Sequence, residues 1–312
     1  MESRPTIVQH SATTRPEGPP EIPALVGKSV AGEALVTDWG DVSGATQWVT
    51  VRWPHDHPFY AEGGRYSPLL FVESARQALS VLSHAVHGVP LGYRFGLERI
   101  RTSVNSDELS TTSGPADIDL AITHSSVVRR RLGSAHVVSQ VEARRAGRHL
   151  GTAELHYTSH PPALYERLRG RSADARQAFA RALPLTPPAP AALVGRLHPR
   201  DVVISPTGSP GRWQLRTDTG HRVLFDHPHD HVPGMVLLEA VVQATRAALP
   251  YPTVPVGFDS TFLRYVEFDQ PCLLTVAPEP PDAEGRPRTR VDATQQGRPV
   301  FTTTLTTEPR PS

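Results

Sequence analysis

The chain has 312 residues, of which 38% are hydrophobic, and a formal net charge of +1. This length allows two ordinary domains or one duplicated domain, and the near-neutral charge gives no reason to expect a nucleic-acid partner. No apolar run approaches the roughly 20 residues that span a bilayer, and the N-terminal region lacks the apolar core of a secretory signal. The single cysteine, Cys272, excludes an intrachain disulfide and favours a reducing, cytoplasmic location.

The first half of the chain begins with a segment, residues 1–21, that is rich in Pro, Thr, Glu and Ser and is predicted to be disordered. One helix signal follows it. Ser67 is a favourable N-cap, and Pro68 takes position N1, where its missing N–H costs nothing. Residues 69–86 then form an almost wholly apolar run that Gly88 ends, so we expect a buried helix.

A linker is predicted over residues 161–192. Its first part, 165–183, is rich in arginine and can form an amphipathic helix, whereas its second part, 184–190, is rich in proline and favours an extended spacer. A basic helix would suit an acidic acyl carrier protein. A solvated linker with no partner is the simpler alternative.

The second half carries one further apolar helix signal, residues 235–249, which Pro250 ends. Both helices are surrounded by runs of strand-like alternation, at 47–53, 118–124, 129–143, 149–156, 212–216, 272–277, 288–293 and 300–306. One buried helix in each set of antiparallel strands is typical of the hot-dog arrangement, in which a curved sheet wraps around a helix.

The two halves of the chain also share sequence. The recurring blocks are Val26-Gly27-Lys28 with Val194-Gly195-Arg196, Pro54-His55-Asp56-His57 with Pro228-His229-Asp230-His231, and Glu73, Gln77, Ala78 with Glu239, Gln243, Ala244. Chance similarity rarely keeps three blocks in the same order, so the chain is interpreted as a duplication. We predict an α+β double hot-dog with repeats at 22–160 and 193–308, in which His57 is the counterpart of His231.

A histidine-bearing loop leads into the second helix. The loop ends at Gly234, and Glu239 follows five residues later. This arrangement resembles the active-site pattern of hot-dog dehydratases and thioesterases, in which a helix N-terminus points backbone N–H groups at a thioester carbonyl and stabilises the developing oxyanion. Gly234 would allow the backbone to approach the ligand closely.

A closer resemblance is to the A-factor biosynthesis (AfsA) family. Its second-copy signature resembles Asp230-His231-Val232-Pro233-Gly234-Met235 followed by Leu237-Leu238-Glu239-Ala240, and its first-copy signature resembles Trp53-Pro54-His55-Asp56-His57-Pro58-Phe59-Tyr60 and Glu73-Ser74-Ala75-Arg76-Gln77. Further similarity includes Val194-Gly195-Arg196 and the stretch from Phe262 to Asp269. The resemblance covers residues 22–308, nearly the whole chain.

The resemblance implies a reaction. Members of this family transfer a β-ketoacyl group from an acyl carrier protein to a hydroxyl of dihydroxyacetone phosphate, which leads to γ-butyrolactone, butenolide or furan signals. It implies no metal, and we also expect no cofactor and no nucleic-acid or membrane partner. The donor, carrier protein or coenzyme A, and the repeat that holds the active site are left open, as are the acyl chain and the oligomeric state.

The catalytic candidates are two carboxylates and two histidines. Glu73 and Glu239 each interrupt an apolar helix, and burial is expected to raise the pKa of such a carboxylate and to suit it to acid–base chemistry. His231 is a candidate general base, and His57 is its predicted counterpart. The structural alternatives are a carboxylate that accepts hydrogen bonds from a loop and a histidine that braces one. Asp230 is adjacent to His231 but is not expected to bond to it directly.

The substrate-binding candidates are Gln77, Gln243, Arg76, Arg264 and Gly234. Each glutamine follows its glutamate by one helical turn and can orient the carboxylate or donate to a thioester oxygen, with purely structural polar pairing as the alternative. The two arginines are candidates for binding a phosphate, with a surface salt bridge as the alternative, and Arg76 can also pair with Glu73 at i, i+3. The family tends to carry arginine in both helices, and this chain departs from that pattern because Val242 stands in the position that corresponds to Arg76.

Three further readings are weighed. The cluster of His227, His229, Asp230 and His231 could suggest a metal site, but Pro228 breaks regular strand geometry and no metal is expected. Cys272 has no basic neighbour in sequence and is expected to be a packed core thiol. The functional alternatives are a hot-dog acyl-thioesterase that uses water in place of the alcohol, and a non-catalytic binding protein built from two degenerate hot-dogs.

Overall fold

A computed structural model describes residues 21–43 and 46–309. The predicted disorder of residues 1–21 therefore lies outside the described residues, except at Glu21. In the described part of the chain, no helix is both long enough and apolar enough to cross a membrane.

The chain forms five α-helices and fourteen strands in the described ranges. The helices are α1 (Ile22–Val26), α2 (Pro68–Val81), α3 (Pro162–Arg169), α4 (Ala175–Ala180) and α5 (Gly234–Ala248), and a π-helical turn, Leu82–Val86, continues α2. The strands are β1 (Val36–Ser43), β2 (Thr46–Trp53), β3 (Ala61–Glu62), β4 (Arg65–Tyr66), β5 (Arg94–Val104), β6 (Ala116–Arg129), β7 (Ala135–Arg145), β8 (Arg148–His160), β9 (Ile204–Pro206), β10 (Arg212–Leu215), β11 (Thr253–Phe262), β12 (Cys272–Glu279), β13 (Arg288–Gln295) and β14 (Arg298–Pro309).

Twelve of these strands form one antiparallel sheet in the order β1-β2-β6-β7-β8-β5-β11-β14-β13-β12-β10-β9. Six strands come from each half of the chain, and the halves meet where β5 pairs with β11, from Ser103 opposite Gly257 to Arg99 opposite Thr261. The sheet holds α2 in one half and α5 in the other, and these two helices contact each other. This is the predicted double hot-dog. The exact limits of the two repeats and the linker stay a prediction.

Both central helices are buried, as their apolar sequences predict. In α2, the Ser67 hydroxyl accepts the N–H of Leu69 at 3.3 Å, which confirms the predicted N-cap. Helix α5 begins at Gly234 without a side-chain cap. A Cβ at Gly234 would lie 3.0 Å from Cε1 of Phe262 in β11, so this glycine allows the start of the helix to pack against the sheet.

The duplicated histidine block is out of structural register. Nδ1 of His57 accepts the N–H groups of Phe59 and Tyr60, both at 3.2 Å. Nδ1 of His221 makes the same pair of bonds with residues 223 and 224 in the second half, at 3.3 and 3.2 Å. The counterpart of His57 is therefore His221, and the predicted pairing of His57 with His231 is wrong. The identical sequence Pro-His-Asp-His in both loops suggested an alignment that the structure does not follow.

The predicted linker lies against the second half of the molecule. Tyr165 in α3 donates its hydroxyl to Asp230 at 2.6 Å. Arg169 in the same helix pairs with Asp230 and Glu267, with closest N–O distances of 3.2 and 2.6 Å, and only 6% of its side chain is exposed. In α4, the Phe179 ring packs on Phe268. Because Arg169 is buried and pairs with carboxylates of its own chain, it is not available to bind an acidic partner.

Candidate active site

Two buried carboxylates, Glu73 in α2 and Glu239 in α5, lie at the centre of the molecule, with 3% and 1% of their surface exposed. Tyr60 lies near both of them. Burial raises the pKa of Tyr60 well above its usual value, and the negative charges of Glu73, Glu33 and Glu239 add to this effect. The two helices therefore bring the strongest catalytic candidates of the sequence into one region.

The carboxylate of Glu73 is surrounded by two cationic side chains and a hydrogen-bonding amide. Arg76 donates to both carboxylate oxygens, at 2.9 and 2.7 Å, and Gln77 donates to Oε1 at 2.8 Å. Nζ of Lys28 lies 3.1 Å from Oε1. Burial acts to raise the pKa of Glu73, but Arg76 and Lys28 outweigh it, and the pKa lies well below its usual range. The expectation of a raised pKa is wrong for Glu73, which makes this group a weak base.

Glu239 has a different set of partners. Nε of Arg196 and Nε2 of Gln243 both donate to Oε1, at 2.9 and 2.6 Å. Nη2 of Arg196 lies 2.6 Å from Oε2, but Oε2 receives no hydrogen bond of favourable angle from the described residues. Arg196 also donates to the Phe59 carbonyl at 2.7 Å and stacks over the Phe59 ring at 4.0 Å. One oxygen of Glu239 thus keeps accepting capacity.

The two predicted glutamines bond the helices to the segments that lead into the sheet. Gln77 donates to the Glu33 carbonyl and accepts the N–H of Leu35, both at 2.8 Å. Gln243 makes the same two bonds with the Asp201 carbonyl and the Val203 N–H, at 2.8 and 2.9 Å. Because each side chain also donates to its glutamate, these contacts support a role in positioning the carboxylate.

A cavity of about 630 Å³ opens beside Glu239. The first half contributes the loop and hairpin around β3 and β4 and the start of α2, where Ser67 and Pro68 lie. The second half contributes Glu239, Val242 and other residues. The lining residues are Phe59, Tyr60, Glu62, Gly63, Arg65, Tyr66, Ser67, Pro68, Ala192, Leu193, Gly195, Arg196, Leu197, Glu239, Val242, Arg246, Leu249, Pro250, Tyr251, Pro252, Thr253, Val254 and Pro255. The cavity therefore joins a helix N-terminus of one half to the carboxylate of the other.

His231 lies outside this cavity, before the start of α5. Its Nδ1 contacts Oδ1 of Asp230 at 3.0 Å, so the expectation that these neighbours do not bond directly is wrong. Burial acts to raise the pKa of Asp230, but His231, Tyr165 and Arg169 together hold it well below its usual range. The ring of His231 packs edge-on against Tyr265 at 4.6 Å. These contacts brace the loop, and the catalytic role of His231 stays a prediction.

Three neighbouring side chains in the same loop have the spacing of metal ligands. Asp226, His227 and His229 each offer one ligand atom, and these atoms lie within 4.8 Å of one another. Burial lowers the pKa of His229 to about 3, and His227 and His231 add to the shift. Positive charge on Lys28 acts on Asp226, which opposes a further cation. The expectation that no metal is bound stays a prediction.

The remaining candidates are spread through the fold. His57 is 2% exposed, and its Nε2 lies 3.6 Å from Glu33. Arg264 is exposed and donates to the Pro299 carbonyl at 2.5 Å, outside the cavity. Cys272 is buried, and burial raises the pKa of its thiol to about 12, which confirms the expected core thiol.

The sequence predicted that Arg76 can pair with Glu73, but it missed one further cation partner of each glutamate. Lys28 pairs with Glu73 and Arg196 pairs with Glu239, and both follow the Val-Gly pair of the first recurring block. The sequence does show a basic residue after Val-Gly in each repeat. What the sequence lacked was any indication that this block folds against the central helix of its own repeat.

Comparison with known proteins places this geometry in a family. The model of the A-factor biosynthesis hotdog domain (AfsA) matches residues 12–160 and 178–310. A Streptomyces coelicolor protein named 2-oxo-3-(phosphooxy)propyl 3-oxoalkanoate synthase is 39% identical over 289 residues, with 90% of each chain covered. A Streptomyces virginiae protein of the same name is 37% identical, with 89% of this chain and 94% of the relative covered.

Solved structures share the fold at low sequence identity. A 12:0-ACP thioesterase from Umbellularia californica has a TM-score of 0.53 and 10% identity. The match covers 87% of this chain and 100% of the thioesterase. An acyl-ACP thioesterase from Bacteroides thetaiotaomicron has a TM-score of 0.51 and 12% identity, with 84% and 98% covered. These neighbours support the double hot-dog fold, and the family match with its close relatives shows that the chain belongs to the A-factor biosynthesis (AfsA) family.

Proposed function

We propose that this protein transfers a β-ketoacyl group from an acyl carrier protein thioester to the hydroxyl of dihydroxyacetone phosphate. The product would be a 2-oxo-3-(phosphooxy)propyl 3-oxoalkanoate, the compound in the names of the relatives. The observation that carries the proposal is the cavity with a buried carboxylate, Glu239, in its wall. In this proposal the reaction takes place in the cytoplasm, where carrier proteins supply acyl groups to a precursor of a γ-butyrolactone-type signal.

Glu239 is the proposed general base. Its Oε2 takes the proton of the acceptor hydroxyl, and the oxygen attacks the thioester carbonyl carbon. The C–S bond then breaks, and the proton passes to the leaving thiolate of the carrier. Arg196 and Gln243 fix the other carboxylate oxygen, so that the base is held in one orientation. Direct attack needs no covalent acyl-enzyme.

The N-terminus of α2 is the proposed site of the thioester carbonyl. Ser67 and Pro68 line the cavity at this point, and Glu239 lines the same cavity. The positive end of the helix dipole favours the negative charge that develops on the carbonyl oxygen. In this arrangement the electrostatic stabilisation comes from the first repeat and the base from the second.

The thioesterase alternative uses the same residues with water as the nucleophile. The two reactions differ in their dependence on the phosphate acceptor. Mass spectrometry of the full chain with a β-ketoacyl carrier thioester, with and without dihydroxyacetone phosphate, separates them. We expect the phosphate-bearing ester or its butenolide only when the acceptor is present. Equal release of free β-keto acid in both reactions would favour the thioesterase, and no turnover would favour the binding protein.

A matched pair of substitutions tests the choice of base. We expect Glu239→Gln to reduce turnover by roughly 100-fold or more, because a general base contributes a factor of this order. Glu73→Gln is the control for removing a buried carboxylate from an equivalent helix, and we expect it to affect turnover less. Circular dichroism would verify that both variants are folded. A larger loss in Glu73→Gln would place the reaction on the other helix.

A further inference from the structure

Tyr60 is a buried tyrosine in the wall of the cavity that contains Glu239. Its carbonyl accepts the N–H of Ser67, the N-cap of α2, at 2.7 Å. The preceding residue, Phe59, contacts Arg196 through its carbonyl and its ring. The loop of Tyr60 is therefore bonded both to the start of α2, where the thioester carbonyl is proposed to bind, and to the arginine that pairs with the proposed base.

The hydroxyl of Tyr60 adjoins the cavity. Among the described residues, Tyr60 makes hydrogen bonds through its backbone only, and its N–H donates to Nδ1 of His57 at 3.2 Å. Its hydroxyl is not one of the fully enclosed side-chain atoms without a partner in this part of the chain, so the oxygen borders open space. Because Tyr60 lines the cavity and only 3% of its surface is exposed, that space is the cavity. The hydroxyl can therefore bond to a ligand.

The phenol of Tyr60 is held in place and stays neutral. The rings of His57 and Phe59 pack against it, with centroid distances of 4.9 and 5.0 Å. The pKa of Tyr60 lies well above its usual value because burial disfavours the phenolate, and three nearby carboxylates add to this effect. The phenol therefore keeps its proton at neutral pH. An uncharged donor of this kind suits a carbonyl oxygen, whereas a phosphate is bound best by charged donors.

The second half of the chain has a leucine at the position of Tyr60. His57 accepts the N–H of Tyr60, and its counterpart His221 accepts the N–H of Leu224 in the same way, so the two residues are equivalent. Leu224 is also buried. An apolar side chain therefore satisfies the packing of this loop, and the fold does not require the hydroxyl. The half that has the tyrosine is the one whose loop shares the cavity with Glu239.

We propose that the Tyr60 hydroxyl donates a hydrogen bond to the 3-keto oxygen of the β-ketoacyl group and so selects this group over a saturated acyl chain, an inference that rests on the proposed acyl transfer. The β-ketoacyl group has a second carbonyl, one methylene carbon away from the thioester carbonyl. The thioester oxygen, which becomes negative, is assigned to the N-terminus of α2. The 3-keto oxygen, which stays neutral, then binds the neutral donor of the loop that is bonded to this N-terminus.

The test is steady-state kinetics of the full chain with two carrier thioesters of equal chain length, one 3-oxoacyl and one saturated, at saturating dihydroxyacetone phosphate. We expect wild type to prefer the 3-oxoacyl thioester, because a site that bonds a substrate oxygen discriminates against an analogue without it. Tyr60→Phe should lower kcat/KM for the 3-oxoacyl thioester by roughly tenfold, the effect of losing one hydrogen bond, and leave that for the saturated thioester unchanged.

Two further variants control for packing. Tyr60→Leu places at this position the residue that the second half has there, and it should lose the same preference. Tyr157→Phe removes the hydroxyl of another buried tyrosine, in β8 and outside the lining of the cavity, and it should keep the preference of wild type. Circular dichroism would verify that all three variants are folded.

Calorimetric titration without the acceptor separates this inference from the proposed function. The probes are 3-oxoacyl and saturated acyl pantetheine amides, in which N–H replaces the thioester sulfur. If wild type binds the 3-oxoacyl amide more tightly and Tyr60→Phe removes this preference, the inference stands even when no acyl transfer is found. The inference is overturned if wild type shows no preference, if Tyr60→Phe keeps it, or if Tyr60→Phe weakens the binding of both amides equally.

Discussion

The two central helices carry the same framework and differ in the groups around their carboxylates. In both, a glutamine one turn after the glutamate bonds to a carbonyl and an N–H of the segment that leads into the sheet. Around Glu73 stand Lys28 and Arg76, whereas around Glu239 stand Arg196 and the apolar Val242. The comparison teaches that the duplication kept the parts that hold the fold and altered the side chains that surround the two carboxylates.

The largest effect on stability should come from removing Arg196, the one cation that pairs with Glu239 among the residues the structure describes. Arg196→Met leaves a buried carboxylate without a charge partner, which we expect to cost about 3–5 kcal/mol of unfolding free energy. Lys28→Met should cost less, because Glu73 keeps Arg76. Urea denaturation of both variants measures the difference. Equal losses would mean that the two ion pairs are equivalent, and the double variant of Arg196→Met with Glu239→Met should recover much of the loss.

The shared framework predicts a symmetrical result. Gln77→Leu and Gln243→Leu each leave a buried N–H and a buried carbonyl without their partner, so we expect both to lose about 1–3 kcal/mol of stability. Thermal unfolding followed by circular dichroism can compare them. If only one variant is destabilised, the two glutamines do not contribute equally to stability, and the prediction is wrong.

The effect of the arginine that α2 carries and α5 lacks at this position can be tested by introducing it into α5. Val242→Arg places in α5 the arginine that α2 has at the same position. The new side chain should fill part of the cavity and pair with Glu239, and we expect turnover to fall by roughly tenfold, which equals about 1.4 kcal/mol. Val242→Leu adds volume without charge and serves as the control. A gain in activity with Val242→Arg would show that the arginine belongs to the reaction.

The smallest effect concerns acid stability. The folded-state pKa of Glu73 lies below its unfolded value of 4.5, so the ionised carboxylate contributes stability that is fully present above that value and is lost as the pH falls toward the folded pKa. The difference in unfolding free energy between wild type and Glu73→Gln should therefore shrink as the pH falls from about 4.5 to about 3. Glu166→Gln, at an exposed site in α3, should show no such trend.

The sequence predicted the two helices and their glutamates well because an isolated polar residue in a long apolar run is a local signal. It failed at β5 and β11, the strands that join the halves. In β5, Arg99 and Arg101 contact Asp259 across the junction, and Ile100, Thr102 and Val104 are buried on the opposite face. The strand therefore alternates, but one of these three buried residues is polar, so the signal is weak. The partner of Glu239 was missed for a related reason, since a contact between Arg196 and residue 239 depends on tertiary packing.

The pairing of β5 with β11 has a consequence for how such a protein can change. In a homodimer of identical hot-dogs, every substitution occurs twice, so both sites across the dimer axis alter together. Here the two halves lie in one chain and one sheet, and a codon in one half leaves the other untouched. Arg76 and Val242, on the two helices beneath that sheet, are an example of such independence: one half keeps a closed ion pair while the other holds an open cavity.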